Sequence, residues 1–336
     1  MKAIVLVGGF GTRLRPLTLD TPKQMLPIVD RPMIEWVLAG LARHGVDEAV
    51  LALGYRPDAF RDAYPDGECA GVALRYAVES EPLDTAGAIR FAATEAALDE
   101  RFIVVNGDVL TDLDIRALVA FHDARGAEAT IALHRVDDPS RYGVVPTDDE
   151  GRVVAFVEKP PAGEAPTDLI NAGTYVVEPS VVERIASGRK VSIERETFPA
   201  MVADRTLFAM DDGGVYWLDT GTAAAYVDAQ IDLIEGRRGA VDAHAVHPTA
   251  HVDGATVRSS AVGPGATVAA GAILERAIVL EGATIEAGAR VADSVIGPGA
   301  TVGVGAVVDG GTLVGRDEHV PAGAHLHDAR LPGASA

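Results

Sequence analysis

The chain has 336 residues, 48 % of them hydrophobic, and a formal net charge of −20. That length accommodates two domains with cores of their own, while the negative charge repels nucleic-acid backbones and anionic membranes and excludes a general polyanion-binding role. One cysteine, Cys69, excludes an internal disulfide framework, and the apolar stretch after Lys2 is too short for a signal peptide or membrane span, so the cytoplasm is the expected compartment.

The first predicted element is a strand over residues 2–7, a continuous apolar run of the kind covered on both faces in a parallel α/β sheet. It empties into Gly8-Gly9-Phe10-Gly11-Thr12-Arg13-Leu14-Arg15-Pro16, with Lys23 and Gln24 following in Pro22-Lys23-Gln24-Met25-Leu26-Pro27. Glycines let a backbone approach a ligand and aim its N–H groups at oxygens, and ligands of such sheets bind at the carboxyl ends of strands. A strand running into glycines and then fixed cations therefore reads as a phosphate cradle. Two familiar cradles are excluded by their letters. Gly9-Phe10-Gly11-Thr12-Arg13-Leu14 lacks the third glycine of a dinucleotide fingerprint, the next apolar segment (49–53) ends in Gly54-Tyr55 rather than an acid, and no G-x-x-x-x-G-K-[ST] run occurs.

Further strands are expected at 101–105, 130–134 and 153–157, alternating with helices at 33–44, 86–97 and 113–124, which is the rhythm of a parallel or mixed sheet. Asp108 follows one of these strands in Asn106-Gly107-Asp108, and Asp219 lies in Tyr216-Trp217-Leu218-Asp219-Thr220-Gly221-Thr222. Two carboxylates far apart in sequence suit Mg²⁺, which takes a few carboxylates together with substrate phosphates. Of 29 basic residues only four are lysines, and two of these stand in Pro22-Lys23 and Glu158-Lys159-Pro160. A lysine is a compact point charge suited to a single phosphate oxygen, whereas arginine is a planar fork.

After a last amphipathic helix near 223–235 and a linker over 236–245, the pattern changes. From Val246 an aliphatic residue recurs every five or six positions, at 252, 257, 262, 268, 274, 279, 285, 291, 296, 302, 308 and 314. Gly-Ala pairs at 265, 271, 282, 288, 299 and 305 alternate steps of six and eleven, a true repeat of seventeen. That period is too short for helical solenoids and matches hexapeptide β-helix repeats, with aliphatic residues pointing into a prism and about four stacked coils. The expected division is thus 1–235, linker 236–245, β-helix 246–320 and tail 321–336.

The motif G-G-x-G-T-R-L-R-P-L-T with P-K-Q-M-L-P resembles the nucleotidyltransferases that make nucleotide sugars, and the resemblance covers the whole first 235 residues. It implies a Rossmann-like mixed/parallel sheet catalytic domain, and the repeats resemble left-handed hexapeptide β-helices. By this resemblance Gly8, Gly9, Gly11, Thr12, Gln24 and Gly54 contact the nucleotide, as does Glu81-Pro82-Leu83-Asp84-Thr85-Ala86-Gly87, whose Asp84, Thr85 and Gly87 flank the base. Gly143, Glu158, Lys159, Asn171 and Gly173 contact the sugar phosphate; Asp108 and Asp219 hold Mg²⁺; and Arg13, Lys23 and Lys159 are the catalytic cations. A sugar 1-phosphate attacks the α-phosphorus of a nucleoside triphosphate in line and pyrophosphate leaves, by positioning and charge neutralisation.

For specificity, Val191 to Pro199, the Trp217–Thr222 block and the attached β-helix are similar to mannose-1-phosphate guanylyltransferases, implying GTP and mannose 1-phosphate. Lys23-Gln24 is instead nearer to thymidylyltransferases, which leaves glucose 1-phosphate with dTTP or UTP open, together with a related sugar or pseudo-sugar phosphate with GTP. Two readings of other classes are an acyltransferase built on His247, His251 or His319, and a non-catalytic regulatory homologue. The first is weakened by the few coils and the absence of a long acyl-donor loop, the second by retention of Arg13, Lys23, Asp108, Lys159 and Asp219. The β-helix reads as an assembly module of a homo-oligomer.

Overall fold

The computed structural model describes residues 1–239 and 243–333, so part of the expected linker and the last residues of the expected tail lie outside the described residues. The chain divides into two compact units, Met1–Gly9 with Ile34–Trp217, and Phe10–Met33 with the chain from Leu218 onward. This division does not follow the boundary near 235 expected from composition, and the reason lies in the second unit.

The first unit is a ten-stranded sheet made of β1 (Lys2–Leu6), β2 (Glu48–Leu53), β3 (Glu68–Cys69), β4 (Val72–Val78), β5 (Phe102–Asn106), β6 (Ala129–Arg135), β7 (Gly143–Val144), β8 (Val157–Glu158), β9 (Leu169–Val177) and β10 (Leu207–Asp211). Its spatial order is β8-β7-β9-β5-β1-β2-β4-β3, with β6 also on β9 and β10 on β6. Four strands around β1 are parallel, in register Leu6↔Asn106 and Leu6↔Ala52, and β9 runs antiparallel to β5, which makes the sheet mixed. β1 is central, so Ala3, Ile4 and Val5 have no exposed surface, as the unbroken apolar run implies.

Helices α1 (Met33–Arg43), α2 (Asp58–Ala63), α3 (Asp84–Glu95), α4 (Ile115–Arg125), α5 (Pro179–Arg184) and α6 (Phe198–Asp204) complete the α/β pattern. Where the letters allow, the ends are chemically defined: Asp114 caps α4 by accepting from the backbone N–H groups of Arg116 and Ala117, and Gly126 closes it at φ 56°. One apolar core joins Ile4, Val104, Ile89, Ile131, Tyr175 and Phe198 across the sheet and its helices. The strand expected over 153–157 is reduced to its last residue, because Val153 makes only an isolated bridge to Thr147 and Phe156 packs against Phe198. Strands β4, β9 and β10 were not anticipated; β4 is interrupted by Arg75 and β9 by Asn171-Ala172-Gly173.

In the second unit three parallel five-stranded sheets stack in successive coils, consistent with a left-handed parallel β-helix. The strands of one sheet are 256–258, 273–275, 290–292, 307–309 and 325–327. Inward Val262, Val268, Leu274, Val279, Ile285, Val291, Ile296, Val302, Val308, Val314 and Val320 form a continuous core together with the small alanines between them. The first two members of the series, Val246 and Val252, are instead exposed, since they lie at the open end of the stack. Coils continue through Arg330–Leu331, so the residues expected as a tail from 321 to 331 form a further coil rather than a tail, and five strands per sheet replace the expected four coils.

Helix α7 (Ala223–Ile234) and residues 10–33 belong to this same unit. The segment is anchored by buried Leu14, Leu17, Leu26 and Ile28. On α7 the fully buried Gln230 accepts from the Val29 N–H (2.7 Å) and donates to the Pro27 carbonyl (3.0 Å), which Tyr226 also caps with its hydroxyl. On the coils Arg316 pairs with Asp20 at 3.0 Å, and a β-carbon at Gly315 would stand 3.1 Å from the Pro16 ring. A buried polar clamp of this kind is costly to break, because each partner would be left unsatisfied.

Candidate active site

In the first unit, β1 and β5 are parallel neighbours and end together, so Gly8–Gly9 and Gly107–Asp108 leave the sheet at adjoining carboxyl ends. The turn after β5 lies tight against β1: the Gly107 N–H donates to the Leu6 carbonyl at 2.9 Å, and a β-carbon there would meet Val7 at 2.8 Å. Asp108 is thereby held beside the glycine cradle. Gly9, at φ 116°, has a backbone that other residues adopt only under strain.

A second group of residues gathers on β7, β8 and β9. Gly143 pairs with Glu158, and a β-carbon at 143 would overlap the Phe156 ring at 2.6 Å. Lys159, held at φ 48° with its N–H on the Tyr142 carbonyl, pairs its Nζ with Glu158 Oε1 at 3.0 Å. A left-handed conformation at a lysine is a strained arrangement of the kind that clusters at ligand sites. On β9 the register slips between Asn171 and Tyr175; Asn171 accepts from the Gly173 N–H and donates to the Tyr175 hydroxyl. Gly173 (φ 75°) is obligatory, since a β-carbon would lie 2.5 Å from Asn106 Nδ2. Trp217 ties the strands together, donating to the Ala172 carbonyl at 2.9 Å, stacking on His134 and meeting Tyr142 edge-on.

The loop before α3 is braced by residues 191–194. Val191 takes part in three backbone hydrogen bonds, with Leu83, Ala86 and Gly87, and Thr85 Oγ1 donates to Glu194 while accepting from the Ile193 N–H, both at 2.8 Å. Asp84 adopts φ 62°, and its carboxylate caps the Thr85 N–H. Gly87 lies so close to Leu83 that a β-carbon would meet it at 2.8 Å. Below the loop Glu79 accepts the Leu83 N–H, and burial raises its pKa above the ordinary glutamate value; Gly54 sits next to this carboxylate.

The remaining predicted residues lie in the second unit. Gly11 (φ 57°) packs on Thr18, whose hydroxyl donates to the Gly11 carbonyl at 2.8 Å, and on the β-carbon of Lys23. Arg13 Nη2 and Asp219 Oδ1 each stand 2.8 Å from where a Gly221 β-carbon would be, so a guanidinium and a carboxylate share one small space that only glycine keeps open. Asp219 is oriented by the Gly221 N–H at 2.9 Å. Thr12 is exposed on the short helical turn with Arg13. Gln24 is different: it is 2 % exposed, and its Oε1 has no hydrogen-bond partner among the described residues. It is packed into the segment rather than presented at its surface.

Comparison with known proteins decides the class. Residues 2–236 match the family described as Nucleotidyl transferase. The chain belongs to the nucleotidyl transferase family. Residues 240–332 of this nucleotidyl transferase match a second family, the GMPPB C-terminal domain. It is 42 % identical over 266 residues to the mannose-1-phosphate guanylyltransferase of Mycobacterium tuberculosis, covering 78 % of this chain and 73 % of that one. The mannose-1-phosphate guanyltransferase of Schizosaccharomyces pombe is 45 % identical over 231 residues, 68 % of this chain and 62 % of its own length, so this chain spans less than two thirds of that relative. Among solved structures, HddC from Yersinia pseudotuberculosis superposes with a TM-score of 0.59 at 30 % identity, covering 68 % of this chain and 97 % of HddC; another structure of it is a complex with GMP-PN.

Nucleotidyl transferases of this family work with a divalent metal. Of the two expected metal ligands, Asp108 belongs to the first unit and Asp219 to the second, and each by itself offers the hard carboxylate oxygens that such a metal takes. Sequence reasoning missed Asn106, Thr18, Trp217 Nε1 and Glu194 as supports. All four stood inside quoted motifs; Thr18 reaches only seven residues back to Gly11, whereas Glu194 meets Thr85 across a distance in sequence that no spacing reveals.

Proposed function

We propose that this nucleotidyl transferase joins GTP to mannose 1-phosphate, giving GDP-mannose and pyrophosphate. The observation that carries the reading is the convergence of Arg13 and Asp219 on the space beside Gly221, next to a segment that also holds Gly11 and Lys23. It supports a site that handles phosphates with cations and a carboxylate together. The names of the relatives supply the base and sugar.

An oxygen of the sugar 1-phosphate forms the new bond to the α-phosphorus, the α–β bridging P–O bond breaks with its electron pair, and pyrophosphate leaves. The Gly8–Gly11 amides and Arg13 neutralise charge that grows on the phosphoryl oxygens, where preorganised donors are worth most. Thr12 and Lys23 hold the triphosphate, and Gly54, Asp84, Thr85 and Gly87 shape the nucleobase side. Glu158 orients a sugar hydroxyl and holds Lys159, which aims the attacking phosphate; Asn171, Gly143 and Gly173 leave room for the ring. Asp108 and Asp219 would hold Mg²⁺, whose chemistry is to neutralise the phosphate oxygens.

Glucose 1-phosphate with dTTP or UTP remains the second reading through Gln24, but a 98 % buried side chain reads no base directly, which favours GTP. The deciding experiment measures pyrophosphate release for GTP, dTTP, UTP, ATP and CTP against mannose, glucose and N-acetylglucosamine 1-phosphates. Preference for GTP with mannose 1-phosphate supports the proposal; preference for another pair replaces it; and silence in every well supports a regulatory homologue. We also place the enzyme in the cytoplasm, as a homo-oligomer joined through its coils. No described helix is long and apolar enough to cross a membrane.

A further inference from the structure

We propose that Asp309, His325 and His327 form a surface site for a borderline divalent transition-metal ion such as Zn²⁺, on the last coils of the β-helix and remote in sequence from every residue assigned to the reaction. His325 and His327 flank the inward Leu326 on one strand, so the strand's period of two turns both imidazoles to the same outward side. The strand stacks on 307–309 in register Asp309↔His327. His327 Nδ1 lies 2.6 Å from Asp309 Oδ1 and His325 Nε2 lies 3.1 Å from Asp309 Oδ2, and the ligand atoms all fall within 4.8 Å of one another. Ligands of a tetrahedral zinc ion at about 2.0–2.2 Å are separated by slightly more than these hydrogen bonds, a difference side-chain torsions absorb.

The coil is altered at this place and nowhere else along the described repeats after Thr267. Arg290↔Val307 spans the regular seventeen residues, whereas Val307↔His325 and Val295↔Leu313 span eighteen. The added residue falls in the corner Asp309-Gly310-Gly311, where Gly310 (φ 66°) lies under the His327 ring: a β-carbon there would stand 2.6 Å from both Cε1 and Nδ1. Only glycine at 310 lets that imidazole settle beside Asp309. The side chains of His325 and His327 are 61 % and 71 % exposed, so an ion enters from solvent and keeps an open position for water. Two imidazoles with a carboxylate select Zn²⁺, Co²⁺, Ni²⁺ or Cu²⁺ over Mg²⁺, which prefers all-oxygen ligands.

The test uses the full-length chain without an affinity tag, stripped by EDTA and desalted, with Zn²⁺ titrated calorimetrically and Co²⁺ followed by its visible absorption. The expected result is one saturable equivalent of each ion, weakened at least about tenfold in His325→Gln/His327→Gln and in Asp309→Asn. Zn²⁺ should also raise the melting temperature of the parent and not of the variants, whose metal-free melting and Mg²⁺-supported turnover match the parent. Absence of a saturable equivalent in the parent, or undiminished binding in the double variant, would overturn the site.

Discussion

The sheet unit and the coils solve opposite problems. In the coils every inward position does the same job, and Leu274, Ile285 and Val302 could trade places without changing what the stack is. In the sheet no two positions are equivalent: Gly107 holds off Val7, Gly143 holds off Phe156 and Gly173 holds off Asn106, each protecting a different approach to the site. Repetition yields stability that is spread evenly, whereas the chemistry depends on single positions whose backbones are strained.

Substitutions should separate the two. The largest effect is expected from Asp108→Asn: as one of the proposed metal ligands, whose loss removes several kcal/mol in the transition state, it should lower kcat about 10³-fold with unchanged melting. Pyrophosphate release in saturating Mg²⁺ checks it, and a near-normal rate would remove Asp108 from the metal set. Leu274→Ala should do the reverse: a fully buried coil side chain is lost for about 2–5 kcal/mol in denaturant unfolding, with turnover by the remaining folded enzyme unaltered. A fall in kcat would show that the coils take part in the chemistry.

Gly173→Ala mixes the two kinds of effect. Its strained φ and the Asn106 contact should cost about 1–3 kcal/mol, and the KM for the sugar 1-phosphate should rise more than the KM for the nucleotide. Equal changes in both constants would sink the assignment of β9 to the sugar side.

A smaller, pH-dependent effect belongs to His122. It is 1 % exposed, and burial holds its pKa below the ordinary 6.5 despite the hydrogen bond to Glu178. The unfolded chain therefore binds the proton more readily. This contribution to stability is complete above pH 6.5 and is lost as pH falls through the lower folded value. Melting temperatures between pH 7.5 and 5.5 should decline, and less steeply in His122→Gln; parallel curves would exclude this residue as a cause. Least of all should change at Cys69, whose thiol burial pushes up to about 12: thiol reagents at pH 8 should label it only after unfolding.

The coil period could be read directly because each inward residue meets only its neighbours in the next coil, so one local rule, repeated, fixes the whole stack. The added glycine in the corner at 309–311 escaped the rule by being its exception. In the sheet unit β1 and its two neighbours β2 and β5 were legible because burial on both faces leaves an unbroken apolar run. The bulge in β9 was not, since Asn171 and Gly173 owe their positions to Tyr175 and Asn106 rather than to adjacent letters. Gln24 was placed at the nucleotide by resemblance, and only the packing of residues 14–28 shows that its side chain is buried. The convergence of Arg13 and Asp219 on Gly221 depended on segments two hundred residues apart, which spacing could suggest but not place.

The glycine signature reads as one uninterrupted word, yet its first letters are rooted in one compact unit and the rest in another. For an engineer this makes the motif poorly portable. Transplanting residues 8–27 onto a foreign sheet would carry the cations without Gln230, Tyr226 or Arg316, and the grafted loop would have lost the fastenings that give Arg13 and Lys23 an address.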